Sequence, residues 1–576
     1  MKKINFTNSS LFLVVLLLVL LGGCKEEPIV YNTTEDVNIT GYFEKYPEEF
    51  SEFKKILDIT GTSGFLQAYG SYTIFAPNNA GVEAFLKAKG KNSVEELDVE
   101  ELKNIVKFHL LEDTISTPKF TDGKLPRLTM YGQYLTTGAQ NSNNVTRITV
   151  NRQANVVKPN VLVGNGVIHV IDNVLQPASQ TLAQMLESNP NYSIFTQALK
   201  ATGLFESLNK IPATNTDVET QWLTVVAESN QTLASKGFNS FDALKARYSH
   251  TGNPANPADS LNLFVKYHIL KEAKYLADIV SVSSHATLAP LEIVTSSLLG
   301  QRVLLNDAVF NGVHEPGVEI NRQSSDLSAR NGVLHDSQGH FVIKVRKPQR
   351  VDWDVAAECS DLAKIPGVLR QRSLGTGAPA YNDSFAPRGF TELNDLRSPG
   401  VTGIGYEYGT SGSLYGAAWW GDFLTIPLGG PNRNPWIELR SPMIIKGTYK
   451  VWINYRSRAQ SANNSQNLNE VSIDGVPLPR LMNFVQGRPS GTEAELEGQG
   501  WKAYTAVASS NHSGRLVGTI EIKTTDRHWV KFTTINGTQN TNHLDMIQFI
   551  PVSENQLYPK FHMDGRKLGP NGEPMQ

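Results

Sequence analysis

Cysteine is nearly missing from this chain of 576 residues. There are two, Cys24 and Cys359, too few for the disulfide framework that holds small secreted domains together. An excess of either charge is missing as well. With 53 Lys and Arg against 55 Asp and Glu, a net charge of -2 and an isoelectric point near 6.7, and with no Lys/Arg-rich run, the chain sets up no field for phosphate backbones. That excludes nucleic acid as a partner. Beyond Cys24 no apolar stretch approaches the length of a bilayer span. Catalytic motifs are absent too: there is no nucleophile elbow, P-loop, dinucleotide fingerprint or H-E-x-x-H, and the glycines from Gly403 to Gly416 lack the order and the lysine of a phosphate loop. Only a glycosidase-type carboxylate pair escapes this exclusion, because its members need proximity in the fold and not in sequence.

The length exceeds what one hydrophobic core organises, so two to four domains are expected, and 40% hydrophobic with 19% charged residues is a globular composition. At the amino terminus Lys2 and Lys3 precede Leu11 to Leu21, a run without a polar residue, and Leu21-Gly22-Gly23-Cys24 follows. This arrangement resembles the lipobox of bacterial lipoproteins. The resemblance implies removal of residues 1–23 as a signal peptide, lipid attachment at Cys24 and anchoring in the outer membrane, at about 0.8 kcal/mol per buried CH₂ of each acyl chain. Lys25-Glu26-Glu27 looks like the acidic tag that sends some Gram-negative lipoproteins to the extracellular face; a plain solvated tether over residues 24–37 is the other reading.

Comparing the chain with itself shows a duplication. Leu102 to Leu111 recurs as Leu261 to Leu270, with His109 matching His268, and Asn165-Gly166-Val167-Ile168-His169 recurs as Asn331-Gly332-Val333-Leu334-His335. Each copy opens with an amphipathic helix: Phe50, Phe53, Ile56 and Leu57 ahead of Gly61, and Tyr192, Phe195 and Leu199 ahead of Gly203. Tyr72-Thr73-Ile74-Phe75-Ala76-Pro77-Asn78-Asn79-Ala80, the Phe108-His109 helix and Gly166 to Leu175 together resemble the fasciclin domain, over residues 38–177. The resemblance implies an α/β fold, a β-sandwich wedge with small helices, used in extracellular adhesion and without catalysis. Residues 180–346 form a divergent second copy, with Val226 and Glu228 where the first has Phe75 and Pro77. Phe341 to Val345 alternates as a last strand would.

His109 and His268 lie on the apolar stripe of helices whose starts are marked by Asp98 with Glu101 and by Pro257 with Asp259. A ring there is expected to bond a buried backbone group. The fasciclin resemblance adds the alternative of receptor contact through the neighbourhood of Phe108-His109 and Tyr267-His268. Zinc is not expected, since neither histidine has a metal-spaced partner.

After residue 346 the character changes, and seven of the eight tryptophans lie beyond it. Tyr449, Val451, Ile453 and Tyr455 alternate with polar neighbours as in a half-buried strand, and Asp474-Gly475 reads as a hairpin turn. Residues 347–555 look like a galactose-binding-like jelly roll, an antiparallel β-sandwich of the kind found in carbohydrate-binding modules. That likeness implies a non-catalytic glycan or ligand domain, often with a structural calcium, for which Asp545 is the one candidate position. Trp419, Trp420 and Trp436 are candidate sugar-stacking rings, and filling of the core is the competing role. Adjacent Trp419 and Trp420 on an extended chain would face opposite ways. Residues 556–576, rich in Gly and Pro, read as a flexible tail.

Two functions fit this layout. One is a lipid-anchored surface adhesion protein that meets a protein or glycan partner. The other is an accessory glycan-binding lipoprotein beside an outer-membrane transporter of a polysaccharide uptake system. A glycoside hydrolase is the remote third.

Overall fold

The computed structural model describes residues 34–575, apart from 36, 68–69, 143–144, 311–312, 376–383, 387, 390–391, 431, 459–465 and 538–539. Its first unit is built on a sheet in the order Leu110–Leu111, Tyr72–Pro77, Gly166–Ile171, Ala154–Val163, Val145–Val150, Tyr134–Ser142, Gly123–Leu128. Tyr72–Pro77 and Gly166–Ile171 run parallel, Tyr72 opposite Gly166 and Pro77 opposite Ile171, and the rest of this path is antiparallel. A parallel pair needs cover on both faces, and Tyr72–Pro77 is buried throughout. Ile74 and Ala76 face a core under the helices, with Phe50, Phe53, Val82 and Val106; Phe75 faces a smaller core with Phe108, Leu111 and Leu135. The helix Pro47–Ile59 buries the four predicted apolar residues, and Gly61 takes a left-handed φ of 71° just past its end, the conformation that favours glycine there.

The second unit repeats this plan: Ile269–Lys271, Leu223–Glu228, Gly332–Ser337, Val318–Asn321, Arg302–Leu305, Ile293–Leu299, Ser284–Ala286. Leu223–Glu228 and Gly332–Ser337 are again parallel, Leu223 opposite Gly332. The expected last strand at Phe341 to Val345 does not form; residues 338–350 belong to no strand. The alternation there reflects the burial of Phe341 against the unit, not sheet pairing.

Two antiparallel sheets make the third unit. One, in the order Gly405–Tyr408, Asp422–Leu428, Asn540–Pro551, Gly447–Arg456, His512–Ile522, Trp501–Lys502, also pairs Val351–Asp354 with Asn540–Pro551. The other runs Leu396–Arg397, Trp436–Ile444, Asp526–Gly537, Asn467–Ile473, Val476–Pro477. A single core containing Leu424, Val451, Phe532 and Phe549 lies between them. Asp474 and Gly475 both have positive φ, 47° and 80°, in a two-residue hairpin loop, as the turn type requires. Gly447–Arg456 is more buried than its alternation suggests. Trp452 and Asn454 on its other face are also fully buried, because Gln556 accepts from Trp452 Nε1 at 2.9 Å and Lys502 lies over the Trp452 ring.

Gln556 belongs to the segment expected to be a flexible tail, and the expectation is corrected here. Lys560–Phe561, Lys567–Leu568 and Pro574–Met575 form a three-stranded sheet. Phe561, fully buried, sits 4.8 Å from Trp419 between ring centroids, with Tyr504 and Met546 around it. A single aromatic with a fitted pocket outweighs the turn-forming composition around it. Contacts also link the units: Arg152 with Asp326 and Lys124 with the Ala273 carbonyl join first to second, and Lys446 with Glu292 joins second to third.

Phe561→Ala is expected to lower the stability of the third unit by about 3–5 kcal/mol, the range for removing a buried aromatic. Denaturant unfolding followed by tryptophan fluorescence measures this, and a change within error would show the C-terminal sheet to be dispensable.

Candidate functional site

The hallmark residues of both α/β units are held by one set of bonds. The Asn165 side-chain Oδ1 accepts from the Ile39 N–H at 2.8 Å while its Nδ2 donates to the Leu66 carbonyl. Asn331 repeats this with the Leu182 N–H and the Leu208 carbonyl. His169 bonds the Ile115 carbonyl through Nε2 and accepts the Asn160 N–H at Nδ1; His335 does so with Lys274 and the Asp326 N–H. Thr73 bridges the Asp113 carbonyl and the Ile115 N–H, and Thr224 the Glu272 carbonyl and the Lys274 N–H. Each motif side chain thus ties a loop to the parallel strand pair.

His109 is fully buried. Its Nδ1 bonds the Ile105 carbonyl at 2.8 Å, and Nε2 accepts the Leu175 N–H at 3.0 Å, which assigns the neutral tautomer. Burial pushes this imidazole down to about 4, against the pull of the Ile105 carbonyl; His169 is pushed to about 4 in the same way. Phe75 stacks on His169 at 5.1 Å, Pro77 is buried in its strand, and Phe108 is 2% exposed. None of the four presents a face to a partner, so receptor contact through Phe108-His109 does not match this packing.

In the second unit Tyr267 is buried too. Its hydroxyl donates to the Ile293 carbonyl and accepts from Asn306, and burial pushes it up to about 12. His268 bonds the Phe264 carbonyl at 2.8 Å through Nδ1 and Glu228 at 2.9 Å through Nε2. Tyr267-His268 is therefore interior as well. Glu228, which stands where the first unit has Pro77, also takes bonds from His340 Nδ1 at 2.7 Å and the Phe341 N–H at 3.0 Å. Burial pushes its carboxyl up, but the bonds and charges of His268 and His340 outweigh burial and the net shift is downward. The sequence signal for this cluster was the replacement of a strand proline by a glutamate; the partner His340 carried none.

The third unit treats its candidate rings differently from expectation. Trp419 is 8% exposed, with Phe561 against its face and its Nε1 donating to the Gly565 carbonyl. Trp420 has the Arg370 guanidinium 4.1 Å from its ring centre and Gly565 so close that a Cβ there would lie 2.0 Å from the ring. The two do not face opposite ways across an extended strand, because Trp420 turns in a left-handed conformation, φ 59°. Neither ring is open for a sugar to stack on, which corrects that candidacy. Trp436 is half-buried at the start of Trp436–Ile444, with Lys531 Nζ 4.5 Å from its ring centre.

Asp545 is buried, and its Oδ2 accepts from the Tyr504 hydroxyl at 2.6 Å and the Trp419 N–H at 3.0 Å. Burial, with the charges of Asp422 and Asp354, holds its carboxyl well above the usual range. Its Oδ2 is taken up by the Tyr504 and Trp419 donors, and among the described residues no group of three His, Cys, Asp or Glu side chains is placed to hold a metal. The calcium candidacy is corrected on that ground. Nearby, unforeseen from the sequence, Arg370 bridges Asp354 at 2.6 Å and Asp422 at 3.5 Å, and Tyr406 donates to Asp422 at 2.8 Å. Burial and the Asp354 charge push Asp422 up to about 7. Both carboxyls are nearly inaccessible, so this pair is a structural network and not a glycosidase site.

Two clefts lie at the joints. A polar cleft of about 450 Å³ between the first two units is lined by Asp122, Thr136, Thr149, Arg152, Arg322 and Asp326. A second, of about 340 Å³, between the second and third units is acidic, with Glu358, Asp395 and Asp526. Cys24, Lys25, Glu26 and Glu27 lie outside the described residues. No helix among the described residues is long and apolar enough to cross a membrane.

The family model for the fasciclin domain matches residues 48–177, and this stretch is a fasciclin domain. Among curated proteins the chain is similar to transforming growth factor-beta-induced protein ig-h3 of Sus scrofa, 27% identical over 323 residues, covering 54% of this chain and 40% of that one. It is also similar to stabilin-1 of Homo sapiens, 30% identical over 138 residues, 23% of this chain and 5% of that one. The chain thus spans less than half the length of either relative. Among solved structures, the FAS1 domain pair of the insect cell adhesion molecule fasciclin I is 17% identical, covers 53% of this chain and 96% of that chain, and superposes with a TM-score of 0.23.

The buried histidines set a pH dependence. An imidazole lowered from 6.5 to about 4 stays neutral in the fold while the unfolded chain takes up a proton. Stability is full above about pH 6.5 and declines as the pH falls toward 4, by about 3 kcal/mol for each ring at 1.36 kcal/mol per pKa unit. Histidine NMR of the folded protein is expected to show His109 and His169 titrating near pH 4; titration near 6.5 would contradict the buried geometry.

Proposed function

We propose that this chain is a non-catalytic interaction protein held by lipid on the outside of a bacterium, with two fasciclin-type units and a β-sandwich as linked contact modules. The carrying observation is the fasciclin domain at residues 48–177, whose strand order and motif bonds the second unit repeats. Because the hallmark side chains are spent on interior bonds, contact falls to outer surfaces and to the clefts between units. The run Leu21-Gly22-Gly23-Cys24 with Lys25-Glu26-Glu27 supports a diacylglyceryl anchor in the outer membrane and export to its outer face. The half-open ring of Trp436 supports a second reading, in which the sandwich holds glycan beside an outer-membrane transporter.

The anchor is tested by metabolic labelling with radioactive palmitate in the native host. Label is expected in the wild type and lost in Cys24→Ala, with protease added to intact cells removing the wild-type protein; an unlabelled wild type defeats the anchoring. The soluble chain from Lys25 onward, added to immobilised matrix proteins and to an oligosaccharide array, separates the two readings. Protein contact unchanged by Trp436→Ala supports adhesion. Oligosaccharide binding lost in that variant supports the glycan reading, and turnover of an oligosaccharide would defeat both.

A further inference from the structure

The hallmark histidine performs one mechanical task in both α/β units with different chemistry. Beyond the strand Gly166–Ile171 the chain leaves the first unit, and the departing Leu175 N–H donates straight to His109 Nε2 at 3.0 Å. Beyond Gly332–Ser337 the chain leaves the second unit, and the departing Phe341 N–H donates to Glu228 Oε1 at 3.0 Å, which in turn meets His268 Nε2 at 2.9 Å. A carboxyl group has been inserted between the ring and the outgoing backbone. It gathers that backbone further. Glu228 Oε2 takes His340 Nδ1 at 2.7 Å, His340 Nε2 accepts the Tyr248 hydroxyl at 2.8 Å, and the Phe341 ring lies 4.0 Å from His268 between centroids.

Counting hydrogens separates the two clasps. His268 Nδ1 faces the Phe264 carbonyl, which only accepts, so Nδ1 carries a hydrogen. The contact between Nε2 and Glu228 Oε1 then needs one further proton, whether it resides on the ring or on the carboxyl. With it the buried pair is neutral as a whole. Without it a lone pair faces a buried carboxylate, an arrangement that an apolar site strongly disfavours. His109 needs no such proton, because the Leu175 N–H supplies the hydrogen. The groups facing the pair are His340 from the connector and Tyr248 from the helix Phe241–Tyr248, with Arg247 beside that hydroxyl. Tyr267, whose hydroxyl burial pushes up to about 12, lies edge-on to the His268 ring, and Phe195, Phe264 and Phe341 complete the surround without charge.

We infer that the proton shared by Glu228 and His268 latches the connector into the β-sandwich: while it is held, residues 338–341 are fixed to the second unit, and its loss at rising pH frees them. The connector, residues 338–350, has no strand partner of its own. Its other ties include the Gln338 N–H donating to the Glu319 carbonyl, Arg350 donating to Asp352 and to the Asn555 and Tyr558 carbonyls, and the pairing of Lys344 and Arg346 with Glu315; those cations hold the Glu315 carboxyl down at about 2, so that pairing does not change across neutral pH.

Amide hydrogen exchange on the full soluble chain tests the latch, with Leu175 as an internal control clasped without a shared proton. The protection of the Phe341 amide relative to Leu175 is expected to fall about tenfold per pH unit once the proton is lost, the slope of a one-proton linkage. In Glu228→Gln one amide group cannot both donate to His268 Nε2 and accept the Phe341 N–H at the position of Oε1, so the clasp is broken at every pH and the ratio is expected to be low and to lose its pH dependence. A wild-type ratio constant across the pH range, or the same slope in Glu228→Gln, overturns the inference. Nitrogen-15 shifts of the His268 ring in the wild type give a readout that needs no variant: an Nε2 that never bears or shares a proton at any pH also overturns it.

Discussion

Two glycines without room for a methyl group set the geometry of both α/β units. A Cβ on Gly166 would stand 2.0 Å from the Tyr72 carbonyl oxygen, and one on Gly332 would stand 1.8 Å from that of Leu223. The close approach brings the last strand parallel to the hallmark strand in a fixed register, Tyr72 with Gly166 and Leu223 with Gly332. The asparagine before each glycine then reaches back to the leading helix, and the histidine three residues after it reaches across to the loop ahead. Five consecutive residues therefore place the strand pair, the first helix and a connecting loop together. Their recurrence with the same partners is the physical content of the duplication.

Given that shared frame, the divergence of the second unit is confined to what fills it. Phe75 becomes Val226, and the stacking of Phe75 on His169 has no counterpart at His335 among the described ring contacts. Pro77 becomes Glu228, a buried carboxyl held by His268, His340 and the Phe341 N–H. The backbone tolerates both, since Pro77 and Glu228 occupy corresponding registers opposite Ile171 and Ser337.

Much of this was legible in the sequence, and the limits have physical causes. The duplication, the helix bearing Phe50 to Leu57 and the Asp474-Gly475 turn are local patterns whose meaning does not depend on distant residues. The alternation from Phe341 to Val345 is equally local but was misleading, because one buried aromatic and a solvated neighbour produce the same pattern as a strand. Trp419 and Trp420 could not be placed from spacing: the left-handed conformation of Trp420 itself breaks the rule that neighbours on an extended chain diverge. The ordering of residues 560–575 depends on Phe561 finding Tyr504 and Met546, and the Arg370 network joins residues 354, 370, 406 and 422. Neither leaves a mark on its own stretch of sequence.

The strand Asn540–Pro551 lies between Asp422–Leu428 on one side and Gly447–Arg456 on the other, and also carries Val351–Asp354. The middle of that sheet is thus supplied by residues translated after all of their neighbours. Until position 551 has left the ribosome the strands Val351–Asp354, Asp422–Leu428 and Gly447–Arg456 lack the partner that joins them, so this sheet stays incomplete until late in synthesis. The two α/β units, each closing on strands from within its own 150 or so residues, have no such delay built in.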